Sequence, residues 1–230
     1  MSKRFILLYL SIILLAAFAL FSKYEDRDFF RQLDFAVTVK LQERIDTSAR
    51  LRTAALVGNV MEGATFFASP ELTVVVTLLL TAVSVYDRKK RRWRPGAFTI
   101  PLALVLIVIL EIYGKSVVHH PAPPFSMIKH PTTIFPADYI NEQFSYPSGH
   151  AARAIFLGTL SLSLLLTRFI GFRLKMRDIL VTLGVVGYVV IVSVSRIYLG
   201  HHWFSDVVGG LLLSGGISMA SIYWLRIDRW

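Results

Sequence analysis

Long apolar runs dominate this chain and decide which folds are open to it. Six of them reach or approach membrane-spanning length, and they cover residues 5–21, 72–86, 98–113, 151–167, 179–194 and 207–224. Because backbone polar groups inside a bilayer must be satisfied within the spanning structure, such runs predict transmembrane helices. Hydrophobic residues make up 54% of the chain and charged residues only 17%, which is unusual for a soluble domain. We therefore expect an all-α fold, a bundle of six transmembrane helices forming a single domain over residues 1–230.

The basic residues predict the orientation of this bundle. With six spans, both termini lie on the same side of the membrane as the second and fourth loops. That side holds 14 of the 25 Lys and Arg residues but only 3 of the 15 acidic residues. The positive-inside rule then places both termini in the cytoplasm of a cell-membrane protein. The net charge of +10 is explained by topology, and no basic patch interleaved with stacking aromatic residues points to nucleic acid.

A polar segment separates the first two apolar runs. Within it, apolar residues recur at helical spacing with charged residues between them, namely Phe30, Leu33, Val37, Leu41 and Ile45. This pattern predicts an amphipathic helix in the outer membrane interface, either as a packing strut or as a lining for a lipid route. We expect Glu62, Gly63 and Pro70 to break the pattern before the second span.

Two polar segments stand at the edges of apolar runs, where unpaired polar groups are costly and usually functional. One of them, residues 195–206, contains Arg196, His202 and Asp206. If a helix begins near His202, then His202 and Asp206 share one face, and the carboxylate can orient the imidazole while its other nitrogen attacks an electrophile. The guanidinium of Arg196 suits phosphate oxygens.

The other polar segment, residues 146–150, has the features of a helix start. Ser148 is a natural N-cap, and Gly149 allows a ligand to approach the backbone N–H groups, which attract anions. His150 would lie in the first turn, where it could give or take a proton. Lys115 follows the third apolar run. In the predicted topology all these places fall on the outer side, so we expect three distant segments to form one pocket.

These residues carry a family resemblance. Pro147-Ser148-Gly149-His150 and Ser195-Arg196-x5-His202-x3-Asp206 resemble the second and third signature motifs of the type 2 phosphatidic acid phosphatase (PAP2) superfamily. The first motif of that family, Lys-x6-Arg-Pro, is only partly present, because Lys115 and Pro123 are in place but Ala122 stands where the arginine is expected. The candidates to replace that arginine are His119, His120, Lys129 and Arg153.

The resemblance implies a membrane phosphatase that hydrolyses a lipid phosphate or diphosphate at the outer leaflet, without metal or other cofactor. It implies that His202 becomes a phosphohistidine, that Asp206 orients it, and that His150 acts as acid and base. Phosphate binding falls to Lys115, Ser148, Gly149 and Arg196. Two alternatives remain open: a lipid phosphotransferase that uses the same histidine, and a lipid-phosphate binding protein whose turnover is impaired by Ala122. Besides membrane lipids and the lipid substrate, no obligatory protein partner is implied.

The remaining signals are weaker. We assign His119, His130 and His201 to packing or headgroup contacts. Six of the nine prolines lie in or beside the loop over residues 116–146, which we expect to form a rim or lid over the pocket. The chain has no cysteine and no His-Glu-x-x-His pattern, so we predict no disulfide and no metal site.

Overall fold

The computed structural model describes residues 3–25, 27–48, 51–87, 91–129, 143–166 and 176–227. These residues form eight α-helices: α1 (Lys3–Tyr24), α2 (Asp28–Ser48), α3 (Leu51–Phe66), α4 (Pro70–Val85), α5 (Thr99–Val117), α6 (Gly149–Leu165), α7 (Met176–Tyr198) and α8 (Phe204–Ile227). Strands β1 (Tyr86–Asp87) and β2 (Arg92–Trp93) form a minimal antiparallel pair, and two short 3-10 turns cover Pro95–Phe98 and Phe125–Met127. The prediction of an all-α fold is confirmed.

Four helices are long and apolar enough to cross a membrane on their own. They cover Phe5–Tyr24, Pro95–Val117, Met176–Tyr198 and Phe204–Leu225. A fifth crossing is possible if α3 and α4, which meet at a 48° bend, act as one broken span. Helix α6 is apolar but has only 17 residues, or about 26 Å at 1.5 Å per residue, against a hydrocarbon core of about 30 Å. The count of six full-length spans is therefore not reached by length alone.

The bend between α3 and α4 lies at Ser69 and Pro70. Helix α3 runs through Glu62 and Gly63, which we expected to interrupt the pattern, and ends at Phe66. A single helical glycine costs only about 1 kcal/mol, which packing can offset. Pro70 instead opens α4 at its first turn, and the Ser69 hydroxyl caps that turn by accepting the Leu72 N–H at 3.3 Å.

The predicted amphipathic helix is present as α2. Its apolar side chains Val37 and Leu41 pack against a small buried cluster that includes Ile197 of α7 and Val207 of α8. The Gln42 amide donates hydrogen bonds to two backbone carbonyls, of Met127 at 2.8 Å and of Tyr198 at 2.9 Å. Helix α2 therefore braces the loops at one end of the bundle.

The core lies where α1, α5 and α6 pack against α8. Its buried side chains include Ile100, Ile107, Phe156, Leu160 and Leu213. Large apolar side chains on the other face of α5 remain exposed, as a surface in contact with lipid tails requires; they include Leu102, Val105, Ile109 and Ile112.

Contacts at the two ends of α5 show how the helices are arranged. Near its start, the Thr99 hydroxyl donates to the Ser221 carbonyl at 3.2 Å, and the buried Arg94 donates to the Leu225 carbonyl at 2.7 Å. The start of α5 therefore lies beside the C-terminal end of α8, and the two helices are antiparallel. Lys115, at the other end of α5, consequently lies at the same end of the bundle as the start of α8.

Candidate active site

A cavity of about 40 Å³ lies at that end of the bundle, with room for a few water molecules or one phosphate group. Five of the seven predicted site residues line it: Lys115, Gly149, His150, Arg196 and His202. Asp206 lies behind His202, and Ser148 is buried beside the cavity without lining it. The other lining residues are Glu111, Ala122, Pro123, Ile128, Ser145, Arg153, Gly200 and His201. The three segments that we expected to converge therefore do so.

The turn between α7 and α8 wraps around one backbone carbonyl. Gly200 adopts φ +71°, a left-handed conformation that glycine tolerates, and the chain then folds back. The N–H groups of His201 and His202 both donate to the Arg196 carbonyl, at 3.1 and 3.2 Å. This turn places Arg196 next to His202, the candidate nucleophile.

Helix α8 begins two residues later than the motif spacing suggested. His202 lies in the turn, and α8 begins at Phe204. The reason is the Asp206 carboxylate, whose Oδ2 accepts the Trp203 N–H at 2.8 Å and so caps the first turn. The predicted pairing of His202 with Asp206 is nevertheless present, with His202 Nδ1 3.4 Å from Asp206 Oδ2. This distance is longer than that of an ordinary hydrogen bond.

His202 is held as a neutral imidazole. Burial lowers its pKa, and the positive charge of Arg196 lowers it further, against the opposing effect of the hydrogen bond and charge of Asp206. With Asp206 facing Nδ1, the ring proton belongs on Nδ1, and Nε2 keeps its lone pair. This is the tautomer that a nucleophilic histidine needs.

Arg153 links the cavity wall to the turn between α3 and α4. Its Nε donates to the Ala68 carbonyl at 2.9 Å, and its terminal nitrogens lie 3.1 Å from Glu111 Oε2 and 3.4 Å from His150 Nδ1. Because a guanidinium can only donate, His150 Nδ1 must accept, and the proton of neutral His150 lies on Nε2. The sequence left the role of Arg153 open, and the structure places it on the cavity.

Glu111 is a site residue that the sequence analysis missed. Its carboxylate lies 3.6 Å from Lys115 Nζ, 3.1 Å from Arg153, and directly against Gly149 at the N-terminus of α6. Cations and a helix N-terminus are the groups that bind phosphate, so this carboxylate occupies an anion position. A signal was present, since an acidic residue within an apolar run is expensive unless it is used.

The position of the missing arginine is on the cavity wall, because Ala122 lines it. Of the possible substitutes, Lys129 is paired with Asp46 and lies 4.8 Å from the Tyr198 ring, and it does not line the cavity. His120 does not line it either and contacts Asp206 instead. Arg153 is the candidate that reaches the cavity.

The three histidines assigned to packing differ in outcome. The His119 ring packs edge-on against Phe144, with the ring centroids 4.8 Å apart, as expected. His201 instead lines the cavity, and burial together with the charge of Arg196 lowers its pKa to about 2, so this ring is neutral. His130 lies outside the described residues.

Ser148 is the N-cap of α6, as predicted, but its side chain makes no capping hydrogen bond. Its Oγ is buried and has no hydrogen-bond partner among the described residues, while its N–H donates to the Asp206 carbonyl at 2.9 Å. Gly210 makes this approach possible, since any Cβ there would collide with the Ser148 carbonyl. The backbone thus ties the start of α6 to the first turn of α8.

The described parts of the predicted rim loop contribute Pro123, Ile128 and Ser145 to the cavity wall. The Trp203 indole fixes one strand of this loop by donating to the Pro121 carbonyl at 2.8 Å. Residues 130–142 of the loop lie outside the described part of the chain. In the ranges that the structure describes, no three His, Asp or Glu residues are grouped to hold a metal ion.

Known proteins resemble this chain in sequence and in fold. A family model described as the PAP2 superfamily matches residues 96–230. An undecaprenyl-diphosphatase from Sulfolobus acidocaldarius is 33% identical over 135 residues, which span 57% of this chain and 56% of that protein. The alignment therefore covers just over half of the relative's length.

Two crystal structures share the fold. A transmembrane PAP2-type phosphatidylglycerolphosphate phosphatase from Bacillus subtilis has a TM-score of 0.69 at 20% identity, covering 93% of this chain and 94% of its own. Aquifex aeolicus LpxE has a TM-score of 0.54 at 20% identity, covering 82% and 96%. The apolar helices and these neighbours indicate a multi-pass membrane protein. With a matching family model over more than half of its length, the chain belongs to the PAP2 superfamily.

Proposed function

We propose that this protein is a membrane phosphatase that hydrolyses a lipid phosphate or diphosphate through a phosphohistidine on His202. The observation that carries the proposal is the composition of one cavity. It combines His202, backed by Asp206, with a second histidine, His150. Three cations line the same cavity: Lys115, Arg153 and Arg196. A nucleophile, its orienting group, a proton carrier and charge stabilisation are the parts that phosphoryl transfer needs.

In the first step, the lone pair of His202 Nε2 attacks phosphorus while the bond to the leaving oxygen breaks. The ring proton stays on Nδ1, and the negative charge of Asp206 balances the positive charge of the phosphohistidine. The three cations and the N-terminus of α6 at Gly149 stabilise the equatorial oxygens of the transition state. Arg196 and the N–H groups at the start of α6 are in place before substrate binds, so these donors need little reorganisation.

His150 would serve both steps. As an acid it gives its Nε2 proton to the leaving oxygen, which requires a second proton on Nδ1. Arg153 faces that nitrogen, so it must move away before the nitrogen can be protonated, and a bound phosphate would offer it a new partner. In the second step, water attacks the phosphohistidine, His150 Nε2 takes the proton, and inorganic phosphate leaves with His202 restored.

A diphosphate is the substrate class that we favour. Its leaving group is itself a phosphate, a weaker base than an alkoxide, so it depends less on protonation by His150. The sequence relative named undecaprenyl-diphosphatase supports the same choice. We therefore propose isoprenoid diphosphates as the first substrates to test, ahead of phosphatidic acid, phosphatidylglycerol phosphate and lipid A phosphates.

We further propose that the site faces the outer leaflet of the cell membrane and that both termini are cytoplasmic. The cavity lies at the end of α5 opposite to Arg94, which belongs to the basic segment over residues 88–94. The positive-inside rule assigns such a segment to the cytoplasmic side. Accessibility of single cysteines introduced at Arg92 and at Phe125 to an impermeant thiol reagent tests this, and labelling of Arg92→Cys in intact cells would reverse the orientation.

The decisive experiment is phosphate release by purified protein from a panel of lipid phosphates and diphosphates. His202→Ala should abolish release, and His119→Ala, which changes a histidine packed on Phe144 away from the cavity, should leave it unchanged. Dephosphorylation only when an acceptor lipid is added would make the protein a phosphotransferase. Binding of these lipids without any turnover by the wild type would make it a binding protein, and the phosphatase proposal would be wrong.

A further inference from the structure

A buried cluster of three carboxylates lies behind His202 and surrounds one histidine, His120. His120 Nδ1 lies 2.9 Å from Asp206 Oδ1 and 3.5 Å from Glu25 Oε2, and His120 Nε2 lies 3.8 Å from Asp34 Oδ2. All four side chains are at most 3% exposed. Each nitrogen of this ring therefore faces at least one carboxylate in a region without bulk water.

The geometry favours a ring with a proton on both nitrogens. A neutral imidazole has one donor and one lone pair, and a lone pair facing a carboxylate would be repelled. An imidazolium presents an N–H donor to the carboxylates on each side of the ring, and its positive charge offsets part of their negative charge. Burial by itself lowers the pKa of His120, but the hydrogen bond to Asp206 and the charges of Asp206, Glu25 and Asp34 outweigh burial and raise it.

Asp206 is the member of this cluster that also contacts the candidate nucleophile. Its Oδ1 faces His120, while its Oδ2 accepts the Trp203 N–H and faces His202. The two contacts at 2.8 and 2.9 Å hold the carboxylate from opposite sides and so fix its rotation. Asp34 is fixed in turn by the Ser205 N–H and hydroxyl, each at 2.7 Å, which anchors the cluster to the first turn of α8.

We propose that His120, as an imidazolium, is a positioning residue that holds the Asp206 carboxylate in register with His202. The inference rests on the proposed function of His202 as nucleophile. Two of the partners of His120 lie outside residues 96–230 that match the family: Glu25 directly follows α1, and Asp34 lies in α2. The N-terminal part of the chain therefore supplies part of the support for the catalytic pair.

Replacing His120 has a defined consequence. Without a cation at this place, Asp206 would lie near Glu25 and Asp34 with less compensation, and it would rotate away or take up a proton. A rotated Asp206 loses its contact with His202 Nδ1, and a protonated one accepts that hydrogen bond more weakly and no longer balances positive charge on the ring. The nucleophile would lose its preferred tautomer, whereas the cavity that binds phosphate would keep its cations. The expected effect is on kcat, with KM little changed.

The test compares His120→Ala and His120→Asn with wild type, using farnesyl diphosphate in detergent micelles. Asn keeps a donor at the position of Nδ1 but cannot carry charge. We expect His120→Ala to lower kcat by about 10–100-fold, as loss of supporting contacts behind a catalytic group does, with KM within about twofold. His120→Asn should recover only part of the lost kcat, because it restores a hydrogen bond to Asp206 but not the positive charge, and His119→Ala should resemble wild type.

The pH profile separates positioning from a merely structural role. In wild type, kcat should fall as pH rises through the raised pKa of His120, because the imidazolium then loses its charge. In His120→Asn this alkaline decline should be absent, since nothing at this position titrates. An unchanged alkaline decline in His120→Asn, or a kcat of His120→Asn equal to that of wild type near neutral pH, would overturn the proposal.

A measurement independent of turnover keeps this inference separate from the proposed function. NMR of ¹³C-labelled histidine should show one ring that keeps a proton on both nitrogens above pH 6.5. The signal of this ring should be present in wild type and in the inactive His202→Ala protein, and it should be missing in His120→Asn. Absence of such a ring in wild type would refute the imidazolium even if the enzyme is active. If the ring is present but wild type releases no phosphate, the charged cluster stands and the phosphatase proposal fails.

Discussion

The two sides of His202 differ in the sign of their charge. On the cavity side lie the cations Lys115, Arg153 and Arg196, and on the buried side lie the carboxylates Glu25, Asp34 and Asp206 around His120. The cavity side suits the negative charge of a phosphate, while the buried side suits the positive charge that an imidazole gains when it bonds to phosphorus. His202, the candidate nucleophile, therefore lies between two fields of opposite sign, each suited to one of the charges that develop in the proposed first step.

The largest expected effect comes from removing the group between the two sides. After rapid alkaline quenching with a ³²P-labelled diphosphate, wild-type protein should carry acid-labile label, and His202→Ala should carry none. Turnover should fall by about 10⁴-fold or more, as for other nucleophile deletions. His150→Ala should keep or accumulate the label, since its water-activating step is slowed. Label retained in His202→Ala would assign the nucleophile to another residue.

Arg153→Ala tests the cavity side. Loss of a charge-assisted hydrogen bond to phosphate corresponds to about 1.5–3 kcal/mol, so kcat/KM should fall by about 10–100-fold. Arg153→Lys should recover little of this, because a lysine cannot reproduce the planar fork that reaches Ala68, Glu111 and His150 together.

Ala122 provides the matched control for that test. It lines the cavity at the position where the family motif has arginine. If Arg153 substitutes for the missing residue, then adding Ala122→Arg to Arg153→Ala should restore much of kcat/KM. No restoration, with both proteins folded, would show that Arg153 acts through His150 or through packing instead of through phosphate.

The cavity side was largely predictable from sequence, and the buried side was not. Gly149 and His150 lie in one short motif, Arg196 and His202 in another, and their places beside apolar runs gave them a common membrane face. Asp206 was predictable for the same reason. Local spacing says nothing, however, about Glu25 and Asp34, which reach the site only because α1 and α2 fold back against α8. Arg153 was visible as a charge within an apolar run, but its partners depend on how α3 and α5 approach α6.

Glu111 is an exception to this division of charge, because it is a carboxylate on the cationic side of His202. It pairs with Lys115 and Arg153, so a phosphate that binds to these two cations has to displace it. Glu111→Gln removes the charge but keeps the size of the side chain. We expect inorganic phosphate to inhibit this variant about fivefold more strongly, corresponding to about 1 kcal/mol, because phosphate no longer has to displace a carboxylate from the two cations. Weaker inhibition would mean that Glu111 mainly holds the two cations in place.

The smallest expected effect is on how stability depends on pH, and it again differs between the two sides. The pKa of His120 is raised, so the folded state binds its proton more tightly, and this stabilisation is present below pH 6.5 and is lost as pH rises through the raised value. The pKa values of His201 and His202 are lowered, so the unfolded state binds more protons, and the free energy of unfolding decreases as pH falls below 6.5. Thermal unfolding in detergent should therefore show a Tm that declines both as pH rises and as pH falls, by about 2–4 °C for each kcal/mol.

His120→Asn should remove the alkaline decline and keep the acid one, whereas His202→Asn should weaken the acid decline and keep the alkaline one. If both variants flatten the same limb, the two sides of His202 do not titrate separately, and the division drawn between them is wrong.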